Sequence, residues 1–364
     1  MKNIMFSTTR QWNCGDEFIL FGILNLMRSL LGEDFNPLIY NRNPSIRMTF
    51  DDYSIRHPVR SLKRYFCSSI LECDNSFHKR CDWHGAIDAA FCAGTPEWIG
   101  KRQEDFYNVV RKENLPLYVL GAGCFPSVGY DNLPERDVIE RAKVLTFRTK
   151  SLAESAKRKG LKSAKYIPCP ALLSANKDQE KHFARDPDRD GVVIGLGFNI
   201  EACYTVPDIA LSGGAYQFSI NVFKDLIERF SSDHIRFVAI CHYIDELPFA
   251  RKFFSEYGIP VRYSYNSQDY FSIYQNIDLL ISSRVHGCGI CASMGIPSIG
   301  ISHDHRGDTL QGFLSDIVSP ADSLDDIRNK TANALASIVE RSAHLIKHKK
   351  SVFEEYMNEL QGKI

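Results

Sequence analysis

Two side chains able to do chemistry, Arg284 and His286, stand two positions apart in a short polar turn. The turn follows the apolar run 277–282 and precedes a stretch that is rich in small residues. This pattern predicts a strand, a turn, a helix and a second short strand, which together form a compact βαβ unit. A guanidinium binds phosphate or carboxylate groups, and an imidazole can give or take a proton near neutral pH. Ser283 and Gly287 belong to the same turn and are candidate substrate-binding residues.

The position of this turn favours ligand binding. In open α/β sheets, ligands bind at the carboxyl ends of the strands, and the amino terminus of a helix favours anions. Taken singly, an arginine after a strand is often a solvated charge, and a histidine in a turn is often structural. The combination of Arg284 and His286 with a helix start that has little side-chain bulk favours a functional role. We therefore expect His286 to be a catalytic residue.

A second arginine stands at another junction between a strand and a helix. Arg148 follows the apolar run 144–147 directly and precedes a helix that we expect Ser151 to cap, with Glu154 three residues on. A glycine turn with Gly121 and Gly123 follows an earlier predicted strand. We treat Arg148 as a candidate catalytic residue and both glycines as candidate substrate-binding residues.

The first predicted strand, residues 2–7, leads into a helix through a polar turn. Asp16 is a candidate catalytic residue of this turn, and the candidate substrate-binding residues are Asn13, Gly15 and Glu17. An alternative is that these residues only cap the helix and complement its dipole. The residue types alone leave both interpretations open.

Metal binding is not expected. Cys288 and Cys291 have the C-x-x-C spacing, but no second pair accompanies them, and packing on a helix explains them better. His303, Asp304 and His305 could bind a metal, yet adjacent residues of this kind seldom do. The eleven cysteines are scattered and odd in number, and we expect reduced thiols in a cytosolic protein.

Strand and helix patterns alternate along the whole chain of 364 residues. Alternation of this kind predicts an α/β fold with two doubly wound, Rossmann-like domains, and we expect the two domains to face each other across a cleft. The charged stretch 174–191 is the predicted linker. We expect an N-terminal domain over residues 1–175, a C-terminal domain over residues 176–345, and a C-terminal helix over residues 346–364 that packs back on the first domain.

Composition limits the classes of partner. Lys plus Arg and Asp plus Glu balance at 44 each, so whole-chain charge gives no argument for nucleic-acid binding. No apolar run approaches the roughly 18 to 20 residues that span a bilayer, and the amino-terminal apolar run is too short for a signal peptide. We expect a cytoplasmic location, which could be at the inner face of the membrane. The oligomeric state is left open.

Four segments together resemble one protein family. NCGDEFILFGIL is similar to an N-x-GDE-x-x-L segment, GAGCFP is a glycine-rich turn after a strand, and FRTKSLAES resembles an R-[DE]-x-x-S segment. The most specific segment, SSRVHGCGICASMGIPSIGIS, resembles the signature [SM]-R-x-H-x-x-x-x-A-x-x-x-G-x-P-x-[IV]. These segments resemble those of the polysaccharide pyruvyl transferases, which are similar to GT-B glycosyltransferases in architecture. The matches run in family order over most of the chain.

The resemblance implies transfer of a pyruvyl group from phosphoenolpyruvate to two sugar hydroxyls, which gives a cyclic ketal in cell-surface glycan biosynthesis. In this scheme Arg148 and Arg284 bind the phosphate and carboxylate of the donor, and His286 protonates its methylene carbon. Asp16 or Glu17 is the candidate base that takes the proton of the sugar hydroxyl. No cofactor and no metal are required. The implied acceptor is a saccharide, which could be nucleotide-linked or lipid-linked.

The chain departs from the family pattern at Thr149, where the family has an acidic residue. Two alternatives to the pyruvyl transferase stay open. One is a GT-B-type glycosyltransferase whose Arg284 and His286 bind the diphosphate of a nucleotide sugar. The other is a non-catalytic glycan-binding relative, which Thr149 favours.

Overall fold

The computed structural model describes residues 1–8, 14–41, 70–73, 85–93, 101–123, 136–181, 183, 191–199, 209–302 and 307–364. The described chain forms two compact units. Unit 1 comprises Met1–Ser174 together with Val352–Ile364, and unit 2 comprises Ala175–Ser351. Within the described ranges, no helix combines the length and the apolar character that crossing a bilayer requires.

Unit 1 is built around a sheet of seven strands in the described chain. The strands are β1 (Lys2–Thr8), β2 (Phe35–Asn41), β3 (Ile70–Cys73), β4 (Ala89–Cys92), β5 (Leu117–Ala122), β6 (Val144–Phe147) and β7 (Lys165–Tyr166). Their order across the sheet is β3-β2-β1-β4-β5-β6-β7, and all neighbours are parallel except β2 and β3. The helices are α1 (Cys14–Leu31), α2 (Lys101–Lys112), α3 (Arg136–Ile139) and α4 (Lys150–Arg158).

Unit 2 contains a second sheet, in which every strand pair is parallel. The strands are β8 (Val192–Phe198), β9 (Ile235–Cys241), β10 (Val261–Arg262), β11 (Leu279–Ser282), β12 (Ser298–Ile301) and β13 (Asp316–Val318). The helices are α5 (Ile209–Phe230), α6 (Leu247–Ser255), α7 (Asp269–Gln275), α8 (Val285–Ser293), α9 (Gly307–Gln311), α10 (Leu324–Ala336) and α11 (Ile338–Leu360). The predicted boundary at residue 346 falls inside α11, whose residues from Val352 onward belong to unit 1.

Both sheets have a doubly wound strand order. In unit 2 the order is β10-β9-β8-β11-β12-β13, so the direction of chain progression reverses between β8 and β11. In unit 1 the same reversal lies between β1 and β4. Ligands bind outside the carboxyl ends of the strands at such reversals. The predicted α/β fold class with two Rossmann-like sheets is confirmed, while the facing of the domains across a cleft stays a prediction.

Close packing fixes the direction of α1, which brings the first polar turn of the helix to the carboxyl end of β1. Apolar residues at helical spacing bury almost the whole helix, including Phe18, Ile19 and Leu20. A Cβ atom on Gly22 would lie 1.8 Å from the carbonyl oxygen of Pro170, so only glycine fits at this crossing. Asn25 also donates from Nδ2 to the carbonyl oxygen of Leu173 at 2.9 Å.

The structure differs from the sequence-based expectation at the start of α4. The predicted cap Ser151 is wrong, because the helix begins at Lys150 and Thr149 is the N-cap residue. Thr149 is extended, with φ −130° and ψ 146°, and its Oγ1 accepts a hydrogen bond from the amide of Leu152. A threonine hydroxyl in this position satisfies one of the amides that a helix start leaves without a partner.

Candidate active site

The turn with the most specific motif is held by serine side chains. After β11 ends at Ser282, the amide of Arg284 donates to Ser282 Oγ at 2.9 Å, and this hydroxyl donates to the carbonyl oxygen of Arg284 at 3.2 Å. Ser283 Oγ donates to the carbonyl oxygen of Gly197 on β8 at 3.4 Å. These bonds fix the backbone at the reversal between β8 and β11, where α8 then begins.

His286 lies in the first turn of α8 and is half-buried. Arg284 is the N-cap residue of the helix and is 7% exposed. The side chain of His286 keeps part of its surface exposed, while its Nε2 atom is buried. A half-buried imidazole of this kind suits a group that exchanges a proton with a ligand. The structure therefore brings together the predicted residues Arg284, His286, Ser283 and Gly287 in unit 2.

Arg284 is positioned by two residues that the sequence analysis did not identify. Glu246 is fully buried, and its Oε1 forms an ion pair with Nη2 of Arg284. The Cζ atom of Arg284 lies 4.1 Å from the ring centroid of Tyr243, which is a cation–π contact. Glu246 Oε2 accepts hydrogen bonds from the amides of His242 at 2.9 Å and Tyr243 at 3.1 Å. One carboxylate thus connects the turn after β9 with the turn after β11.

His242 is a second imidazole near this cluster and is 4% exposed. Its Nε2 forms a hydrogen bond with the hydroxyl of Tyr274 at 2.7 Å. Burial holds the pKa of His242 well below its usual value, and the nearby charges of Arg284 and His286 lower the pKa further. His242 is therefore a neutral imidazole at physiological pH.

Gly287 lies on the side of α8 that faces Tyr274. A Cβ atom on Gly287 would lie 3.1 Å from the Tyr274 hydroxyl and 3.3 Å from Ser282 Oγ. Two residues further along the helix, a Cβ atom on Gly289 would lie 2.8 Å from the ring of Phe313. The chain's own side chains therefore fill the space beside both glycines.

In unit 1, the predicted residues Arg148, Gly121 and Gly123 lie together at the carboxyl ends of β5 and β6. The amide of Arg148 donates to the carbonyl oxygen of Ala122 at 3.0 Å, and the amide of Gly121 donates to Thr146 Oγ1 at 2.8 Å. Gly121 has φ +68°, a conformation that favours glycine. A Cβ atom on Gly123 would lie 2.5 Å from Nη2 of Arg148, so the buried guanidinium rests against this glycine.

The start of α1 is also at the carboxyl end of a strand in unit 1. Thr8, at the end of β1, donates from Oγ1 to the carbonyl oxygen of Asp16 at 3.3 Å. Asp16 is 4% exposed, Glu17 is fully buried, and Gly15 is buried as well. Asn13 lies outside the described residues. The acidic side chains are at the positive end of the helix dipole, which stabilises carboxylates there.

Within the described ranges, no three His, Cys, Asp or Glu side chains are grouped in a way that could hold a metal ion. Cys288 and Cys291 are buried free thiols, and burial raises the pKa of Cys288 to about 11. A thiol with this pKa stays protonated at neutral pH and packs as a small apolar group. His303, Asp304 and His305 lie outside the described residues.

Glu246, Tyr243, His242 and Tyr274 were missed because they are 10 to 42 residues away from Arg284 along the chain. A signal existed in the segment CHYIDE, whose polar residues follow the apolar strand pattern that becomes β9. Since β9 pairs with β8, and β8 pairs with β11, polar residues at the end of β9 lie near the β11 turn. Knowledge of the strand order would have pointed to them.

Several solved structures resemble the whole chain at low sequence identity. S. aureus MnaA, solved with UDP, has a TM-score of 0.55 and 13% identity, with 99% of this chain and 96% of that chain covered. A putative UDP-N-acetylglucosamine 2-epimerase from Listeria monocytogenes has a TM-score of 0.55 and 12% identity, with 98% of both chains covered. Anabaena HepE in complex with UDP has a TM-score of 0.53 and 10% identity, with 99% of both chains covered. These likenesses show a GT-B fold.

No curated protein matches the sequence. The family model for polysaccharide pyruvyl transferase matches residues 13–305, a range that contains the turns at Asp16, Arg148 and Arg284. The match covers well over half of the chain and includes the α8 motif with His286. The chain therefore belongs to the polysaccharide pyruvyl transferase family.

Proposed function

We propose that this protein transfers the pyruvyl group of phosphoenolpyruvate to two hydroxyls of a saccharide, which forms a cyclic ketal and releases phosphate. The observation that carries the proposal is the half-buried His286 in the first turn of α8, two residues from the anchored guanidinium of Arg284. This motif lies inside the range that matches the family. Family membership supports a transferase that acts in polysaccharide biosynthesis, and the donor is our proposal.

The donor is an anion with a phosphate, a carboxylate and an enol carbon. In the proposed reaction, Arg284 and Arg148 bind the anionic groups, because a guanidinium keeps its charge and can bind either group in a bidentate manner. His286 gives its proton to the methylene carbon, which becomes the methyl group of the ketal. The C–O bond to phosphate breaks, and the two sugar oxygens form bonds to the former enol carbon. Backbone amides at the start of α8 stabilise the departing phosphate.

Each sugar hydroxyl must lose its proton as its oxygen bonds to the donor. The departing phosphate can take one proton, and a protein carboxylate can take another. Asp16 is our candidate for this base, with Glu17 as the alternative, because both belong to the family-matched segment at the start of α1. Asp16 is the more exposed of the two, which favours it for contact with a substrate.

The proposed acceptor is a saccharide that is linked to a nucleotide or a lipid and belongs to a cell-surface glycan such as an exopolysaccharide. Structures of similar fold were solved with UDP or UDP-glucose, which supports a nucleotide-linked sugar as a ligand. We propose a cytoplasmic location, and a lipid-linked acceptor would be bound at the inner face of the membrane.

A second candidate function uses the same residues with a different donor. The UDP-bound structures of similar fold also favour a glycosyltransferase whose donor is a nucleotide sugar. In that case Arg284 and His286 would bind the diphosphate, and phosphoenolpyruvate would have no site. Family membership favours the pyruvyl donor over this alternative.

Ligand-dependent thermal stability distinguishes the two donors. A ligand that binds only the folded protein stabilises it by about 2.7 kcal/mol at a concentration 100 times its Kd. We expect phosphoenolpyruvate to raise the Tm and a nucleotide sugar to raise it further as the acceptor. A rise with a nucleotide sugar alone, followed by hydrolysis or transfer of its sugar, would support the glycosyltransferase. Saturable saccharide binding without turnover of either donor would support a non-catalytic relative.

A further inference from the structure

We propose that Glu246 is a positioning residue of the active site, which holds the guanidinium of Arg284 in the orientation that binds the anionic donor. The inference rests on the proposed function and extends it to a residue outside the sequence motif. It starts from the fully buried carboxylate of Glu246 and its bonds to three different residues.

The first step is the direct ion pair between Glu246 Oε1 and Arg284 Nη2. Both side chains are buried, so the pair is protected from the solvent screening that weakens surface ion pairs. A guanidinium carries five N–H donors in a planar fork, which allows one group to bond a protein carboxylate and a ligand at the same time. An ion pair on one edge of the fork fixes the plane in which the other edge can bind an anion.

The second step is the packing of the Arg284 guanidinium against the ring of Tyr243. Glu246 Oε2 accepts hydrogen bonds from the amides of His242 and Tyr243, which fixes the turn that carries the Tyr243 ring. The same ring lies 4.1 Å from Cζ of Arg284. Glu246 therefore constrains Arg284 in two ways, through the ion pair and through the aromatic face on which the guanidinium rests.

The third step is the location of these contacts. Tyr243 and Glu246 follow β9, Arg284 follows β11, and β8 lies between those two strands. The cluster is therefore at the strand ends beside the β8–β11 reversal, where ligands bind in this class of fold. The carboxylate of Glu246 therefore pairs with the arginine to which the proposed function assigns donor binding.

The chain offers a matched control, because unit 2 contains another buried ion pair of similar construction. Asp278 is fully buried, and its Oδ1 pairs with Lys181 Nζ at 2.8 Å. Asp278 Oδ2 accepts a hydrogen bond from the amide of Val193 at 2.8 Å, as Glu246 Oε2 does from its own backbone partners. This pair is at the start of β11, while the Glu246 pair is beyond the end of that strand.

The experiment compares Glu246→Gln with Asp278→Asn. Each substitution keeps the size of the side chain and an oxygen that can accept the backbone hydrogen bonds, and each removes one buried negative charge. We expect both variants to have a lower Tm than the wild type. We expect Glu246→Gln to lower kcat/KM for phosphoenolpyruvate by about 10- to 100-fold, since small displacements of a substrate-binding group cost that much. The kcat/KM of Asp278→Asn for phosphoenolpyruvate should stay within about twofold of the wild-type value.

A double-mutant cycle tests whether Glu246 acts through Arg284. If it does, Glu246→Gln should cause little further loss of kcat/KM in an Arg284→Gln background, because the group that it positions is already absent. Additive losses would overturn the proposal, and so would equal kcat/KM values for Glu246→Gln and Asp278→Asn. A variant that does not fold is replaced by Glu246→Asp, which keeps the charge and should recover part of the lost kcat/KM.

Failure of the proposed function gives a different result. If the wild type neither binds phosphoenolpyruvate nor releases phosphate from it, the donor assignment is wrong. Inorganic phosphate is then the probe, and the positioning role requires Glu246→Gln to weaken phosphate binding by at least about tenfold relative to Asp278→Asn. Equal phosphate affinity in the two variants, or no phosphate binding by the wild type, would overturn the positioning role as well.

Discussion

The carboxylate of Glu246 is ion-paired with the guanidinium of Arg284 across the carboxyl end of the unit 2 sheet. The pair connects the turn after β9 with the turn after β11, and both partners are buried. Arg284 is thus a preorganised group with a fixed orientation, unlike a solvated surface arginine. This geometry is the physical basis for placing the anionic donor of the proposed reaction next to His286.

Gly123→Ala tests the role of Arg148 in unit 1. The new Cβ would lie 2.5 Å from Nη2 and 2.6 Å from Cζ of Arg148, so the guanidinium must move. If Arg148 binds the donor, kcat/KM for phosphoenolpyruvate should fall by about 100-fold. Gly214→Ala is the control, because a Cβ at that helical position meets no atom within 4 Å. A Gly123→Ala variant with wild-type kcat/KM for phosphoenolpyruvate would show that Arg148 does not bind the donor.

Substitutions of Thr149 test the hypothesis that the protein is a non-catalytic glycan-binding relative. Its hydroxyl caps α4, so Thr149→Val should lower the free energy of unfolding by about 1 kcal/mol, while Thr149→Asp should preserve the cap and the stability. We expect Thr149→Asp to have the same kcat as the wild type, because the structure gives the side chain at this position a capping role. The measurements are chemical denaturation and phosphate release. An inactive wild type that gains turnover with Thr149→Asp would show instead that the missing acid explains a lost activity.

The buried His242 predicts a loss of stability in acid. Its pKa in the folded state is well below the value of about 6.5 for an exposed imidazole, so below that pH the unfolded chain binds a proton that the folded chain does not. Stability should therefore fall as the pH drops from about 6.5, by up to about 1.4 kcal/mol per pH unit. His242→Asn should remove this part of the pH dependence. Equal slopes for the wild type and the variant between pH 6.5 and 5 would contradict the assignment.

Tyr274 gives a prediction about the same imidazole. Its hydroxyl bonds to Nε2 of His242 at 2.7 Å and lies next to the backbone of Gly287. Tyr274→Phe removes one buried hydrogen bond and leaves Nε2 without its partner, which should cost about 1–3 kcal/mol of unfolding free energy. Chemical denaturation measures the change. A cost below about 0.5 kcal/mol would indicate that the bond makes no net contribution.

The sequence was sufficient to predict those parts of the fold that depend on local pattern. β11, α8 and β12 were predicted from 25 residues, because apolar runs, small residues and Gly295 followed by Pro297 define them locally. β2 is not among the elements that were expected from the sequence. Its Pro37 lies opposite Ile4 of β1, and the pairing of β2 with β3 begins only at Leu38. The contacts of Glu246 could not be predicted, because they depend on β9 and β11 lying on either side of β8, which local sequence does not specify.

In the predicted site, too, local sequence determines some contacts and the strand order determines others. Arg284, His286, Ser283 and Gly287 are adjacent in sequence, so one turn brings them together. Arg148 and Gly123 come together because β5 and β6 are parallel neighbours in the sheet. The facing of the two domains across a cleft, which a joint role of Asp16 and His286 requires, stays a prediction.

Phosphate release from phosphoenolpyruvate, measured with the acceptor saccharide, is the most direct test of the claim that His286 is the acid. The comparison is between wild type, His286→Ala and His348→Ala. His348 is a matched half-buried histidine of unit 2, whose Nε2 forms a hydrogen bond with the carbonyl oxygen of Gly312 at 3.0 Å.

We predict that His286→Ala unfolds at a temperature close to the wild-type Tm and loses phosphate release by at least about 100-fold, because general acid catalysis contributes about that much. His348→Ala should keep its activity. Wild-type phosphate release in a folded His286→Ala variant would contradict the role of His286 and the mechanism built on it.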